Sequence, residues 1–242
     1  MNARNVAAGN GWQWIRGGFE LFRRNPVIWI ALFFVYLMIG MMLSLIPIVG
    51  PIVLNLLAPV FMAGFMLGCQ ALESGEELEI NHLFAGFKQN TAQLITVGGL
   101  YLVGIIVIAG LVFMMTGGAM LNEGAHGLGV EHDQAMETAA ASGGLLLAAL
   151  VALVLLLPLI MAYWFAPTLV IFHGLSAPDA MKLSFTACLH NLMPFTVYSL
   201  ISMLLLVLAA IPFGLGLLVM IPTMTASLYV SYKDIFSEEI VA

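Results

Sequence analysis

FELFRRNPVIWIALFFVY, Phe19 to Tyr36, passes from a basic amphipathic turn into an apolar block at Asn25-Pro26. Whether that switch happens once or recurs decides the architecture. The apolar block opens a long run, from Arg24 to Glu73, with no Asp, Glu, Lys, Arg or His between its ends. A second such run separates His190 from Lys233. A spanning helix needs about 20 apolar residues, so each run holds two spans and a turn. The shorter runs from Lys88 to Glu123 and from Glu137 to His173 hold one span each, with its flanks. Six transmembrane helices are expected, over 27–46, 51–72, 92–115, 144–172, 193–211 and 213–232. The fourth is too long for one straight crossing, so Pro158 and Pro167 should kink it.

Composition agrees. Hydrophobic residues make up 62% of the chain and charged residues 8%, far below the roughly 25% of a soluble domain. One soluble core of this length cannot hide so much apolar surface. The stretch before Pro26 is polar or amphipathic and lacks the order of a cleavable signal peptide, so the first span should act as an uncleaved anchor. The seven cations are Arg4, Arg16, Arg23, Arg24, Lys88, Lys182 and Lys233. With six spans all of them share one side with both termini. The opposite side carries two tight hairpins and the loop from about 116 to 143, which has Glu123, Glu131, Asp133 and Glu137 and no Lys or Arg. The positive-inside rule therefore places both termini in the cytoplasm. No dense basic patch exists for phosphate contacts, so nucleic acid is not an expected partner.

The switch does recur. Asn25 is preceded at minus three and minus six by Phe22 and Phe19, and Asn90 by Phe87 and Phe84. Asn191 has Cys188 and Phe185 at the same offsets. Each Asn is followed by a span, a turn and a second span with a proline: Pro59, Pro167 and Pro222. The separations from Asn25 to Pro59 and from Asn191 to Pro222 are nearly equal. From Asn90 to Pro167 the chain runs more than twice as far, the excess being the loop and a longer helix. The chain thus reads as one all-α membrane domain over 1–242 with three parallel two-helix repeats, about 11–75, 80–174 and 176–236. The alternative is a coincidence of Phe spacing.

Each repeat opens with an amphipathic segment suited to the cytoplasmic interface. In the first, Trp12, Ile15, Phe19 and Phe22 share one face while Arg16, Glu20, Arg23 and Arg24 lie on the other. Asn10 with Gln13 should cap it, Asn81 should start the second segment, and Ser176 should cap the third. Each Asn should then end its elbow and turn the chain into the bilayer, so replacing any of the three by Leu should do similar damage. The competing reading makes the elbows a docking surface for a protein partner.

Chemistry-bearing motifs are scarce. Cys69 and Cys188 stand in no paired-thiol or zinc motif, and phosphate-loop, HExxH and nucleophile-elbow patterns are absent. His126 and His132 share a segment with Glu131, Asp133 and Glu137, but their spacing matches no closed zinc site, and a solvated acidic loop is the preferred reading. No metal, cofactor or catalytic residue is expected. Neutral residues such as Asn55, Gln93, Tyr198, Ser202 and Thr223 fall within the spans, where they more often join helices than bind substrate. Gly64 and Gly68, four apart, read as a packing surface. The lack of a mid-depth ionisable group argues against ion-coupled transport.

The stretches GWQWI, LFRRNPVIWI, SLIPIVGP, LAPVFMAGFMLGC and HLFAGFKQN resemble an uncharacterised group of proteobacterial multi-pass inner-membrane proteins over nearly the whole chain. The layout of Asn elbow and hairpin is more distantly similar to the membrane domain fused to some glycerophosphodiester phosphodiesterases. That resemblance implies an inner-membrane, non-hydrolytic module and brings no catalytic residue with it. Two function classes stay open. The first is a non-enzymatic module that packs against itself or a protein partner in the lipid bilayer. The second is a facilitator for a lipid or small apolar solute. An enzyme is the least favoured class.

Overall fold

The computed structural model describes residues 3–126 and 134–236, with side chains placed for 3–116 and 144–236. Every regular element among them is helical. In order these are α1 (Asn10–Arg24), α2 (Pro26–Ser44), α3 (Val49–Glu73), a 3-10 segment (Ile80–Phe87) and α4 (Thr91–His126). Then come α5 (Gln134–Trp164), α6 (Ala166–His173), α7 (Ala177–His190), α8 (Leu192–Ala210) and α9 (Leu217–Phe236). The two prolines of the long fourth span act differently. Pro158 stays inside α5, while the chain bends at Phe165 and restarts as α6 with Pro167 in its first turn.

Among the described residues, five stretches are long and apolar enough to cross a membrane: Pro26–Ser44, Val49–Glu73, Thr91–Thr116, Gly144–His173 and Leu192–Ala210. The sixth expected span, in α9, is not among them. Thr223, Thr225, Ser227 and Ser231 interrupt the apolar run that opens the helix, and Lys233 and Asp234 stand in its last turn. The chain tolerates them because they are handled internally. Thr223 and Ser231 are buried and donate to the carbonyls of Val219 and Leu228 at 2.7 and 2.8 Å. A helix buried among its neighbours needs satisfied polar groups more than it needs apolar ones.

The structure falls into two compact units. The smaller, Leu100–Ile160, pairs the middle of α4 with α5, where Gly104 faces the side chain of Leu159. Val103, Ile106, Val107, Leu153 and Val154 are exposed, as lipid-facing positions require. The larger unit, Met1–Gly99 with Met161–Ala242, carries the elbows. Its α2–α3 hairpin is locked by aromatic stacking. Phe65 lies 4.7 Å from Phe33 and 6.1 Å from the fully buried Trp29, nearly parallel to both, and Tyr36 meets Phe61 edge-on at 5.4 Å. Such pairs contribute about 0.5–1.5 kcal/mol each beyond area burial, which matters where lipid replaces water and close packing must hold helices together.

Small residues set how closely the elements approach. A Cβ added at Gly98 of α4 would stand 2.8 Å from the Leu56 carbonyl of α3. One added at Gly64 would stand 2.5 Å from the Leu83 carbonyl, and Gly68 faces Leu78. Gly64 and Gly68 therefore pack α3 against the 3-10 segment and the stretch of chain leading into it.

Candidate functional site

The three elbow asparagines all join one helical element to the next, by different bonds. Asn25 follows α1 directly, accepts from Ile28 N–H at 3.4 Å through Oδ1, and hands its carbonyl to Trp29 N–H. Pro26 then fills the first helical position of α2, where its missing N–H costs nothing. Asn90 adopts φ 53°, the left-handed conformation Asn tolerates, and its Nδ2 donates to Val170 O at 3.2 Å. Asn191 is 1% exposed and makes three bonds. Its Oδ1 accepts from Val6 N–H at 2.9 Å, and its Nδ2 donates to Arg4 O at 3.0 Å and Ala187 O at 2.9 Å. The equality of the three sites expected from sequence is therefore not what the bonding shows.

Of the accompanying residues, Phe19 and Phe84 are 41% and 39% exposed, and Phe185 is half-buried. Phe84 and Phe87 both stand against Phe61 of α3, at 6.3 and 5.3 Å. Pro59 and Pro222 are buried inside α3 and α9, and Pro167 is buried at the start of α6. The capping expectations divide. Ser176 does cap α7, accepting from Asp179 N–H at 3.4 Å. The 3-10 segment is capped instead by Glu79, which forms a reciprocal capping box with His82. Gly9, not Asn10, caps α1, because the Asn10 amide is used elsewhere.

It reaches Asp234 near the end of α9. Asn10 Nδ2 and Trp14 Nε1 donate to Oδ2 at 2.7 and 2.8 Å, and Arg4 forms an ion pair with Oδ1 at 2.7 Å. Arg4 Nε also donates to the Asp234 carbonyl, and Arg4 N–H to Ile235 O at 3.0 Å. The chain before α1 is thus a strap held between Asn191 and Asp234. Beside it lies a polar cleft of about 460 Å³ between α1 and the ends of α3 and α9, lined by Gln13, Glu20, Arg24, Glu73, Tyr229 and Lys233. Glu73 accepts from Tyr229 at 2.8 Å and Lys233 at 2.6 Å, while Arg24 donates to Leu72 O at 2.5 Å. Sequence reasoning missed the strap and this Glu73–Lys233 ion pair. Their one signal is that Glu73 and Lys233 are the charges at which the two long uncharged runs stop.

Burial alone raises the Asp234 carboxyl, but the bonds from Asn10, Trp14 and Arg4 outweigh it and hold it below its usual value. A depressed folded pKa means stabilisation present above the unfolded value, about 3.9, and lost as pH falls through the folded one. Asp234→Ala is expected to cost about 2–3 kcal/mol at pH 7 and less at pH 3, below the unfolded value. Thermal unfolding of both proteins at the two pH values checks this. An undiminished difference at the lower pH would refute the assignment. Cys188 is buried, with its thiol pushed up to about 12 and directed at Met161 O, which suits an unreactive side chain. The loop residues Glu131, His132 and Asp133, and the side chains of His126 and Glu137, lie outside what the structure describes.

The elbows pack in one consistent way. A Cβ added at Gly18 of α1 would meet Thr223 O at 2.5 Å and Ser227 N at 2.6 Å, both on α9. A Cβ added at Gly86 of the 3-10 segment would meet Val60 O on α3 at 2.1 Å. On α7, Ser184 donates to Met161 O at 2.7 Å and accepts from Phe165 N–H at 2.9 Å. Each elbow therefore sits on the second helix of the hairpin before it, and α1 sits on the last one.

Over residues 12–238 the chain matches the family model described as a domain of unknown function, DUF7847, and it belongs to that family. It is also 36% identical to a probable inner membrane protein of Burkholderia thailandensis, covering 96% of this chain and 91% of the relative. No solved structure matches it.

Proposed function

We propose that this chain is a non-enzymatic, six-span module of the bacterial inner membrane, built from three head-to-tail units, that works by packing against a protein partner or a second copy. The closed cycle of elbow contacts carries this reading. Elbow two grips hairpin one, elbow three grips the end of α5 in the second repeat, and elbow one grips hairpin three. The register supports it as well. The residues seven before the three asparagines are Gly18, Leu83 and Ser184. Gly18 lies against Thr223 and Ser227, Leu83 against Gly64, and Ser184 against Met161 and Phe165. Val60/Gly64, Thr223/Ser227 and Met161/Phe165 are each four apart, and the residues preceding them are Pro59, Pro222 and Ile160. In this register Pro167 falls about two turns beyond the matching place, Ile160.

With six spans, the cation distribution favours cytoplasmic termini, and the name of the Burkholderia relative favours the inner membrane. In this proposal α9 completes the sixth span despite its polar face, sheltered by α1. The likeness to the membrane domain fused to glycerophosphodiester phosphodiesterases enters only as a likeness of hairpin layout. A reporter fused after Ala242 is expected to be active in the cytoplasm, and one inserted near Gly127 outside it. Activity of both on one side would overturn the six-span reading.

A second reading, a facilitator for a lipid or small apolar solute, is favoured by an apolar groove of about 710 Å³ beside α1. Reconstitution separates the two. Stoichiometric self-association or partner binding without lipid movement across vesicles supports the module, and accelerated lipid movement supports the facilitator.

A further inference from the structure

That groove runs between α1 and the far half of the α8–α9 hairpin. Trp12, Ile15 and Phe19 form one wall, and Leu208, Val219 and Met220 form the other. The position of α1 explains why it exists. Gly18 presses on Thr223 and Ser227, partway along α9, and Gly11 presses on Pro194 and Tyr198 near the start of α8. The apolar end of the hairpin therefore projects past α1, and the space beside it is bounded mostly by hydrocarbon, with Arg16 and Thr223 as its polar members. An acyl chain fits such a lining.

The rim of the groove is cationic. Arg16 lines it, and Arg23 lies two turns further along the same edge of α1. Arg16 Nε meets Glu20 at 3.2 Å, in a pair whose two side chains are 72% and 61% exposed. That leaves its terminal guanidinium nitrogens without a partner among the described residues. Arg23 makes no ion pair there either, and its guanidinium stands 5.9 Å from the Phe19 ring centroid. Trp12 and Phe19 do not share the buried face with Ile15 and Phe22 as the sequence suggested, but stand exposed on the edge that carries Arg16 and Arg23. Two exposed guanidinium groups beside an apolar slot match a phosphate above a hydrocarbon chain.

We propose that the α1–α8–α9 groove is a binding site for one phospholipid with an anionic headgroup, whose acyl chain lies against Trp12, Phe19 and Val219 and whose phosphate is held by Arg16 and Arg23. The proposal rests on the reading that α1 faces the bilayer. The test is bromine quenching of Trp12, read on the purified full chain in detergent as the difference between the protein and its Trp12→Phe variant. The probes are phosphatidylglycerol and phosphatidylcholine with brominated acyl chains. Half-quenching is expected at an about thirtyfold lower mole fraction of phosphatidylglycerol, given the usual contribution of two cations to anionic-lipid binding. Arg16→Gln with Arg23→Gln should erase that preference without lowering the unfolding temperature, since both side chains are exposed. Excess glycerol 3-phosphate should not compete, because the chain supplies much of the binding. Equal quenching by both lipids, or a preference untouched by the double substitution, would overturn the anionic site while leaving α1 in the bilayer. Competition by glycerol 3-phosphate would mark a free-anion site and overturn the acyl-chain assignment. No quenching by either lipid would remove α1 from the bilayer and overturn the underlying reading as well.

Discussion

Gly18→Val is expected to separate α1 from α9 and to lower stability by more than about 3 kcal/mol, the upper end for overpacking. The reason lies in what the new Cβ would meet: Thr223 O at 2.5 Å, Ser227 N at 2.6 Å and Ser227 Cβ at 2.8 Å. None is the far end of a flexible side chain, so relief requires moving a helix. Moving α1 would also strain the Trp14 bond to Asp234 and the tilted contacts of Trp14 with Phe195 and Tyr198, at 5.1 and 6.0 Å. The neighbouring glycines provide the comparison. A Cβ at Gly17 would meet only Val230 side-chain carbons, 3.1 Å or more away, and one at Gly9 would meet nothing within 4 Å. Gly17→Ala and Gly9→Ala should each change stability by less than about 1 kcal/mol. Thermal unfolding in detergent, followed through the buried Trp14, measures all three. A Gly18→Val protein that unfolds with the wild type would mean that α1 does not rest on α9.

That contact also marks where sequence reading stops. The hairpins, the elbows and the bend near Pro167 were legible because each is local. Long uncharged runs give five spans, a Phe six residues before an Asn marks each helix-to-helix junction, and a proline in a long span gives the break. What the elbows rest on was not legible, since α1 pairs with a helix at the far end of the chain and Gly18 carries no periodic signal of its own. The strap was hidden for the same reason. Arg4 and Asp234 stand 230 positions apart, and nothing local to Arg4 marks it as bonded. Capping failed where a tertiary bond outcompeted a local one: Asn10 is a good capping residue by type, yet Asp234 takes its amide. Even α9 was read by length rather than by polarity. Its buried hydroxyls make sense only once α1 and α8 are known to cover them.

The asparagines let the same logic be tested as a ranking. Asn191→Leu is expected to be the most damaging of the three, at about 3–4 kcal/mol, because it leaves Val6 N–H and Arg4 C=O unsatisfied in a nearly closed site. An unpartnered buried polar group costs about 1–3 kcal/mol, and leucine's bulk would also displace the strap. With the strap displaced, the Arg4–Asp234 ion pair goes too, so protease cleavage after Arg4 should accelerate. Asn90→Leu should cost about 1–2 kcal/mol, chiefly for holding a branched side chain at φ 53°, with the bond to Val170 O lost besides. Asn25→Leu should cost about 1 kcal/mol, the usual effect of losing a helix cap, and this cap is long at 3.4 Å. Unfolding midpoints give the order, and cleavage kinetics give the strap. Three equal losses would mean that the asparagines act only as helix ends, as their shared spacing suggests. An effect confined to Asn191, with faster cleavage after Arg4, would show that one elbow has taken on a second duty. It holds the segment before α1 against the end of α9, a contact that neither neighbouring helix could make by itself.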